Sequence, residues 1–346
     1  MAIIPIQNKY PDRAGYLGLD TDRNVLSVMS DGKMKSTSIP EGWVNVKDFG
    51  AKGDGVTDDT IAFIDAIEAT PKKGTLYVPN STSYYKLQSE PIYIKKSIKI
   101  IGEAGIGEPS SVINGRFVFV HPDVQESDIF SDITGLPHLT SVKIKNIFFN
   151  HPQFAIWIQA CMLITLDSIG TYNPSLQIHI NDSYEISILN SSFNVGNTFI
   201  ETKNAVNRLI IKNSRFLNPT NAVITGDKLT NLVIESSHIA GLFPTKSPIS
   251  FNIEGMQNIN ILNNYFEGIP LGNFSNINNL QILNNYSNYV YDTPRPTSDF
   301  LTLDNVKKCN ISNNTFYSSA VFTNFIKATN SEIFEFNNYI GSKMGQ

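Results

Sequence analysis

Apolar and polar positions alternate in short runs along most of the chain, and the runs recur. In Asn258–Gly268, reading N-I-N-I-L-N-N-Y-F-E-G, Ile259 and Ile261 flank a polar residue, an Asn-Asn pair follows, and Phe266 restores an apolar position. The same pattern centres on Ile144, Leu166, Ile188, Ile211, Ile234, Ile261, Ile282 and Ile311, with a degenerate copy at Glu335. Successive centres lie 22, 22, 23, 23, 27, 21, 29 and 24 residues apart. One such unit cannot bury its own apolar face, so the period predicts a stack of units that share a core.

The columns of the alignment identify the unit. Two residues before each centre stand Val142, Ile164, Ile186, Leu209, Leu232, Ile259, Leu280, Cys309 and Ile333, the alternation of a strand whose two apolar positions face inward. Two residues after it come Asn146, Ser168, Asn190, Asn213, Ser236, Asn263, Asn284, Asn313 and Asn337, which suit a sharp turn and predict a ladder of stacked amides. Five after it come Phe149, Thr171, Phe193, Phe216, Ile239, Phe266, Ser287, Phe316 and Ile340, where the chain returns to the interior. Isoleucine centres and the absence of an L-x-x-L-x-L frame favour a parallel β-helix over a leucine-rich repeat. Each turn then rises by about 4.8 Å, and residues one period apart are neighbours in space.

Composition narrows the reading further. With 27 basic and 31 acidic residues among 346, the net charge of −4 offers no general field for nucleic-acid phosphates. Met1–Ile6 is only briefly apolar and no run is long enough to span a bilayer, so neither a secretion signal nor a membrane anchor is visible. Cys161 and Cys309 fall about six turns apart, roughly 29 Å, far beyond the ~7 Å that a disulfide spans, and are expected to be free buried thiols. His121, His138, His151, His179 and His238 make no H-E-x-x-H motif, and there is no C-x-x-C. No cofactor and no metal site is expected.

Residues 1–42 lack the repeat and read as a hairpin-like adaptor arm, with Gly15–Leu19 and Val25–Val28 as its strand-like runs. Residues 43–96 read as a lid and entry to the solenoid, and 97–346 as the solenoid itself. In Val44–Ala69, Gly50, Gly53 and Gly55 permit tight turns, Thr57 can cap a helix, and Asp58 and Asp59 favour its positive end. Ile61, Phe63, Ile64 and Ile67 supply an apolar face that can close the open end of the first turn. Asp54, Asp58 and Asp59 are read as cap and turn residues.

The run D-F-G-A-K-G-D-G-V-T-D-D-T at residues 48–60, with Gly74–Pro79 and Ile98–Gly102, resembles the opening of the pectate-lyase-like superfamily. More narrowly it is similar to bacteriophage tailspikes and appendage proteins. The resemblance covers residues 44–340. It implies an all-β, single-stranded, right-handed parallel β-helix with a capping helix, and a location in the virion tail. It also implies homotrimers that bind or depolymerise host surface polysaccharide, joined to other virion tail proteins through residues 1–42. A virion protein released by lysis needs no export signal. Activity does not follow from the fold, since the superfamily includes hydrolases, lyases and non-catalytic binders. Pectate lyase calcium ligands have no matching motif here, and no Asp/Glu cluster resembles an oxygen-only calcium cage.

Two carboxylate constellations emerge from the stacking. Seven residues before successive centres stand Gln159, Asn181, Asn204, Asp227, Glu254, Ser275 and Asp304. Asp227 and Glu254 become neighbours at about one strand spacing, comparable with the ~5 Å between carboxyls of retaining glycosidases. The same column also reads as ordinary turn acids and amides. The second constellation uses the 27- and 29-residue gaps, whose extra residues fall at 241–248 and 286–300 after the same corner. There Glu267, Asp292 and Asp299 are the catalytic candidates, Phe243, Tyr289 and Tyr291 could stack on sugar rings, and Lys246 and Arg295 could hold an anionic glycan. A loop covering the solenoid or meeting another subunit is the alternative reading.

Overall fold

A computed structural model of the chain describes residues 17–20, 25–30, 33–36, 42–88, 90–103, 111–130, 134–172, 176–241, 248–255, 257–289, 299–318 and 322–341. From Trp43 the chain winds into parallel strands that pair with the turns before and after them. Three faces result. Face A is a twelve-stranded sheet running from Trp43–Asn45 to Ile333–Phe336. Face B runs from Tyr85–Lys86 to Tyr339–Gly341, and face C from Ile92–Ile94 to Ile326–Thr329. Among the described residues one α-helix, Thr60–Ala69, is present, and no helix is long and apolar enough to cross a membrane. Ahead of the solenoid, Leu17–Asp20, Val25–Ser30 and Lys33–Ser36 form an antiparallel three-stranded sheet, one strand more than a hairpin.

The register of face A follows the sequence period. Ile144, Leu166, Ile188, Ile211, Ile234, Ile261, Ile282, Ile311 and Glu335 are successive partners. The file continues back through Ile100, Leu76 and Val44, so parallel stacking already begins in the stretch read as a lid. The apolar members of both inward columns feed one core from Val46 to Phe316, each buried isoleucine contributing roughly 1.5–3 kcal/mol. On face B the column five residues after the centres is also in register, and Phe193 and Phe216 stack at 4.9 Å.

The asparagine turn forms as expected and in its own column Asn213 Nδ2 donates to Asn190 Oδ1 at 3.5 Å, but the buried run of stacked amides stands one residue later. Residues at the turn position all adopt a left-handed backbone, from φ 56° at Asn146 to 51° at Asn337. That conformation directs their side chains outward and brings the next residue into the corner. There Asn264 Nδ2 donates to Asn285 Oδ1 (3.1 Å), Asn285 Nδ2 to Asn314 Oδ1 (3.0 Å) and Asn314 Nδ2 to Asn338 Oδ1 (3.0 Å). Each amide also caps a carbonyl of the preceding turn, as Asn285 Nδ2 does with Ile261 O at 2.8 Å. Nearer the N-terminus, Ser191, Ser214 and Ser237 fill the same corner and accept backbone N–H bonds.

The helix packs its Ala62, Phe63, Ala66 and Ile67 into the core, whereas Ile61 and Ile64, read as part of its apolar face, are exposed. Thr57 does not cap it. Asp58 Oδ1 accepts from the Thr60 N–H and hydroxyl, and Asp59 accepts from Lys52 N and Gly53 N, fixing the glycine turn. Asp54 closes a turn on Val56 and Thr57, which lowers its carboxyl to about 2.

Candidate functional site

Strand pairing gives face C two outward columns. One contains Trp157, His179, Glu201, Thr225, Asn252, Asn273 and Thr302. The other contains Gln159, Asn181, Lys203, Asp227, Glu254, Ser275 and Asp304. Lys203, not Asn204, holds the position expected from the spacing. One extra residue lies between it and Ile211, and because Tyr184 pairs with Asn207 it falls between Asn204 and Asn207; Asn204 itself, φ 57°, holds the same left-handed corner as Asp182 and Lys228 in the neighbouring turns. Its amide still joins the row, donating to Asn181 Oδ1 at 2.7 Å, while its backbone N–H donates to Asp227 Oδ1 at 3.2 Å.

Where the two columns pass residues 201–275 the surface forms a polar groove of about 230 Å³. Three carboxylates line it: Glu201, Asp227 and Glu254, with Lys203 as the cation in the same row. Asp227 and Glu254 are direct register partners on adjacent strands, so their Cα atoms are separated by about 4.8 Å. Glu254 Oε1 accepts from Asn276 Nδ2 at 3.2 Å. Glu201 Oε2 lies 2.9 Å from His179 Nδ1, and that hydrogen bond holds its carboxyl below the usual glutamate value despite its burial. His179, whose side chain is 3% exposed, is stacked in turn against Trp157 at 3.6 Å between ring centroids. Carboxylates, amides and hydroxyls in one open groove are acceptors and donors suited to a polyhydroxylated ligand, and Asp227 and Glu254 stand side by side in it. Among the described residues no cluster of three or more His, Cys, Asp or Glu is placed to hold a metal ion.

The second constellation is only partly brought together. Phe243, Lys246, Tyr291, Asp292 and Arg295 lie outside the described residues. The described strands before the two insertions end at the same corner of face B, two turns apart, since Ala240, Glu267 and Asn288 are successive partners. Glu267 points out from face B and meets His238 Nε2 at 3.1 Å. Asp299 sits beside face C, accepting from Asn324 Nδ2 at 2.8 Å with Lys327 Nζ 3.5 Å away. Tyr289 is not an exposed platform. It is 4% exposed and packs on Phe322 with centroids 4.8 Å apart, because its position on the strand faces the interior.

Sequence reasoning missed Trp157, His179 and Glu201. The signal was present nine or ten residues before the centres, one outward position further back along the same strands.

A family model described as rhamnogalacturonase A/epimerase, pectate lyase-like, matches residues 43–293. The chain belongs to this family. Among relatives, it is 47% identical over 70 residues to alginate lyase 7 of Azotobacter vinelandii, a match covering 18% of this chain and 8% of that protein. It is 25% identical over 269 residues to plasmin and fibronectin-binding protein A of Streptococcus pneumoniae, covering 65% of this chain and 36% of the relative. The chain therefore spans about a third or less of the length of either. In solved structures the rhamnogalacturonase A/epimerase-like fold is matched by an Acinetobacter phage tailspike, with TM-score 0.63 and 10% identity over 95% of this chain and 73% of that one. ORF18 of Geobacillus virus E2 matches with TM-score 0.57 and 16% identity over 95% and 71% of the two chains. The pneumococcal adhesin matches with TM-score 0.56 and 14% identity over 86% and 91%. At these identities the likeness establishes the parallel β-helix and nothing finer.

Proposed function

We propose that the protein is a tailspike subunit of a bacteriophage, which binds and depolymerises a polysaccharide on the host surface through the groove of face C. The observation that carries this reading is the register pairing of Asp227 with Glu254 in an open polar groove on a rigid sheet. In a retaining hydrolysis one carboxyl would protonate the glycosidic oxygen and the other attack the anomeric carbon from the opposite side. In sequence the stretches 241–248 and 286–300 are followed by the strands Ile249–Glu254 and Leu301–Asp304 of that face. In this reading Phe243, Lys246, Tyr291 and Arg295 bind the glycan, the subunits assemble as homotrimers, and residues 1–42 attach the spike to the tail. The Acinetobacter phage tailspike among the structural neighbours supports the assignment.

Purified protein incubated with capsule, lipopolysaccharide and teichoic acid from candidate hosts tests it. New reducing ends are expected, falling at least about 100-fold in Asp227→Asn and Glu254→Gln while binding is retained. If Glu267→Gln or Asp299→Asn, and neither groove variant, abolishes turnover, the site lies instead with the second carboxylate set. The likeness to a pneumococcal plasmin- and fibronectin-binding protein favours a second reading, a spike that binds without cleaving. Glycan binding with no product from the unaltered protein would select it.

A further inference from the structure

Face C carries a second apolar assembly, on its outer side. Val118, Val120, Val124 and Ile129 are buried together, with Tyr93, Leu136, Phe154 and Trp157 packed around them. Val118 and Val120 lie on the strand side of this assembly, and Val124 and Ile129 come from the segment that follows, which folds back over the N-terminal turns. The assembly ends in an aromatic ledge. Phe130 is 48% exposed and meets Trp157 edge to face at 4.9 Å and Phe154 at 6.2 Å. Arg116 is buried behind it, with its guanidinium 4.9 Å from the centre of the Phe154 ring.

The ledge and the groove lie along one register file of face C, with the buried His179 between them. Trp157, His179 and Glu201 are successive register partners, so Glu201 stands two strand spacings, about 10 Å, from Trp157, and Asp227 about 14 Å along the axis. We propose that Phe130, supported by Trp157, is a subsite for an uncharged pyranose ring of the same glycan chain that occupies the groove. The inference rests on the glycan-binding reading of face C. A pyranose offers a C–H face to an aromatic ring and hydroxyls at its rim. Here the exposed ring stands on the same face as the carboxylate pair, about three strand spacings from Asp227 along the axis, with the buried His179 and then Glu201 between them. The ring is assigned as uncharged because Glu201, Asp227 and Glu254 outnumber the single in-row cation Lys203, so a chain of uronates entering the groove would be repelled. The axial span means that an oligosaccharide reaches both places and a monosaccharide does not.

The test uses defined hexasaccharides, neutral and uronate, titrated into full-length protein carrying Trp43→Phe, which leaves Trp157 as the sole tryptophan reporter. Neutral chains are expected to change Trp157 emission. Phe130→Ala and Phe130→Leu should weaken them roughly three- to tenfold, and Phe130→Trp should preserve affinity. The leucine variant guards against a folding defect, since it keeps an apolar side chain and removes only the flat ring. Hexasaccharide binding with Phe130→Leu unchanged and Trp157 emission unmoved would overturn the ledge, and turnover still lost in Asp227→Asn and Glu254→Gln would leave the groove standing. Preference for uronate chains, with or without added calcium, would overturn the uncharged assignment. Failure of every hexasaccharide to bind would remove the ledge together with the glycan reading.

Discussion

Replacing Asn285 by alanine tests where the corner ladder stands. Asn285 is 2% exposed, and its Oδ1 accepts both the Asn264 backbone N–H at 2.9 Å and Asn264 Nδ2 at 3.1 Å. Its Nδ2 donates to Ile261 O at 2.8 Å and Asn314 Oδ1 at 3.0 Å. After truncation Asn314 Oδ1 still receives the residue 285 backbone N–H, and Asn264 Nδ2 still reaches Ile234 O. The Asn264 backbone N–H, buried in the corner, has no substitute. One such orphaned donor costs about 1–3 kcal/mol, and the weakened bonds around it bring the expected total to about 3 kcal/mol. Adjacent Asn284 is a control, because its φ of 55° serves the turn while its side chain lies outside the buried row. Asn284→Gly should change stability by no more than about 0.5 kcal/mol and Asn284→Ala by about 1 kcal/mol. A solenoid opens locally, so amide hydrogen exchange is the proper assay. Asn285→Ala should speed exchange of the Asn264 amide about 100-fold, the equivalent of about 3 kcal/mol, with little effect four turns away. If Asn284→Ala proves the costlier change, the ladder has been assigned to the wrong column.

Three further outcomes follow from the packing. Both thiols are buried, which pushes Cys161 strongly upward and Cys309 up to about 12, so an aromatic disulfide reagent should titrate none in the native protein and two after denaturation. Native reaction of either would place it outside the core. Glu201 has a carboxyl value lowered from 4.5 by its hydrogen bond to His179, so the pair stabilises above pH about 4.5 and that stabilisation is lost as pH falls through the lowered folded value. The stability gap between wild type and Glu201→Gln should therefore narrow in acid, and a pH-independent gap would contradict the pairing. Gly272 has φ 106°, and a Cβ there would lie 2.1 Å from Phe251 O, so Gly272→Ala should cost roughly 3 kcal/mol or more in denaturant unfolding; a cost below about 1 kcal/mol would mean the strands can part freely.

The chain's own periodicity determined the fold. Strand spacing and the two-residue alternation force residues one period apart into contact, so Ile234, Ile261 and Ile282 could be placed in one file without coordinates. The adjacency of Asp227 and Glu254 followed by the same rule. What one dimension could not decide was the direction in which side chains leave a turn. The left-handed residue at each corner turns its own amide outward and its successor's inward, which moved the ladder from Asn284 to Asn285. An inserted residue shifted Lys203 into the row expected of Asn204, because backbone pairing, not distance from the next isoleucine, sets register. Tyr289 looked like a loop aromatic, yet pleat parity buries it. The groove itself arises where Glu201, Asp227 and Glu254, spread over 54 residues, share one wall. Sequence carries the period of such a stack, whereas the side of the wall on which each group acts is fixed only when the turns close.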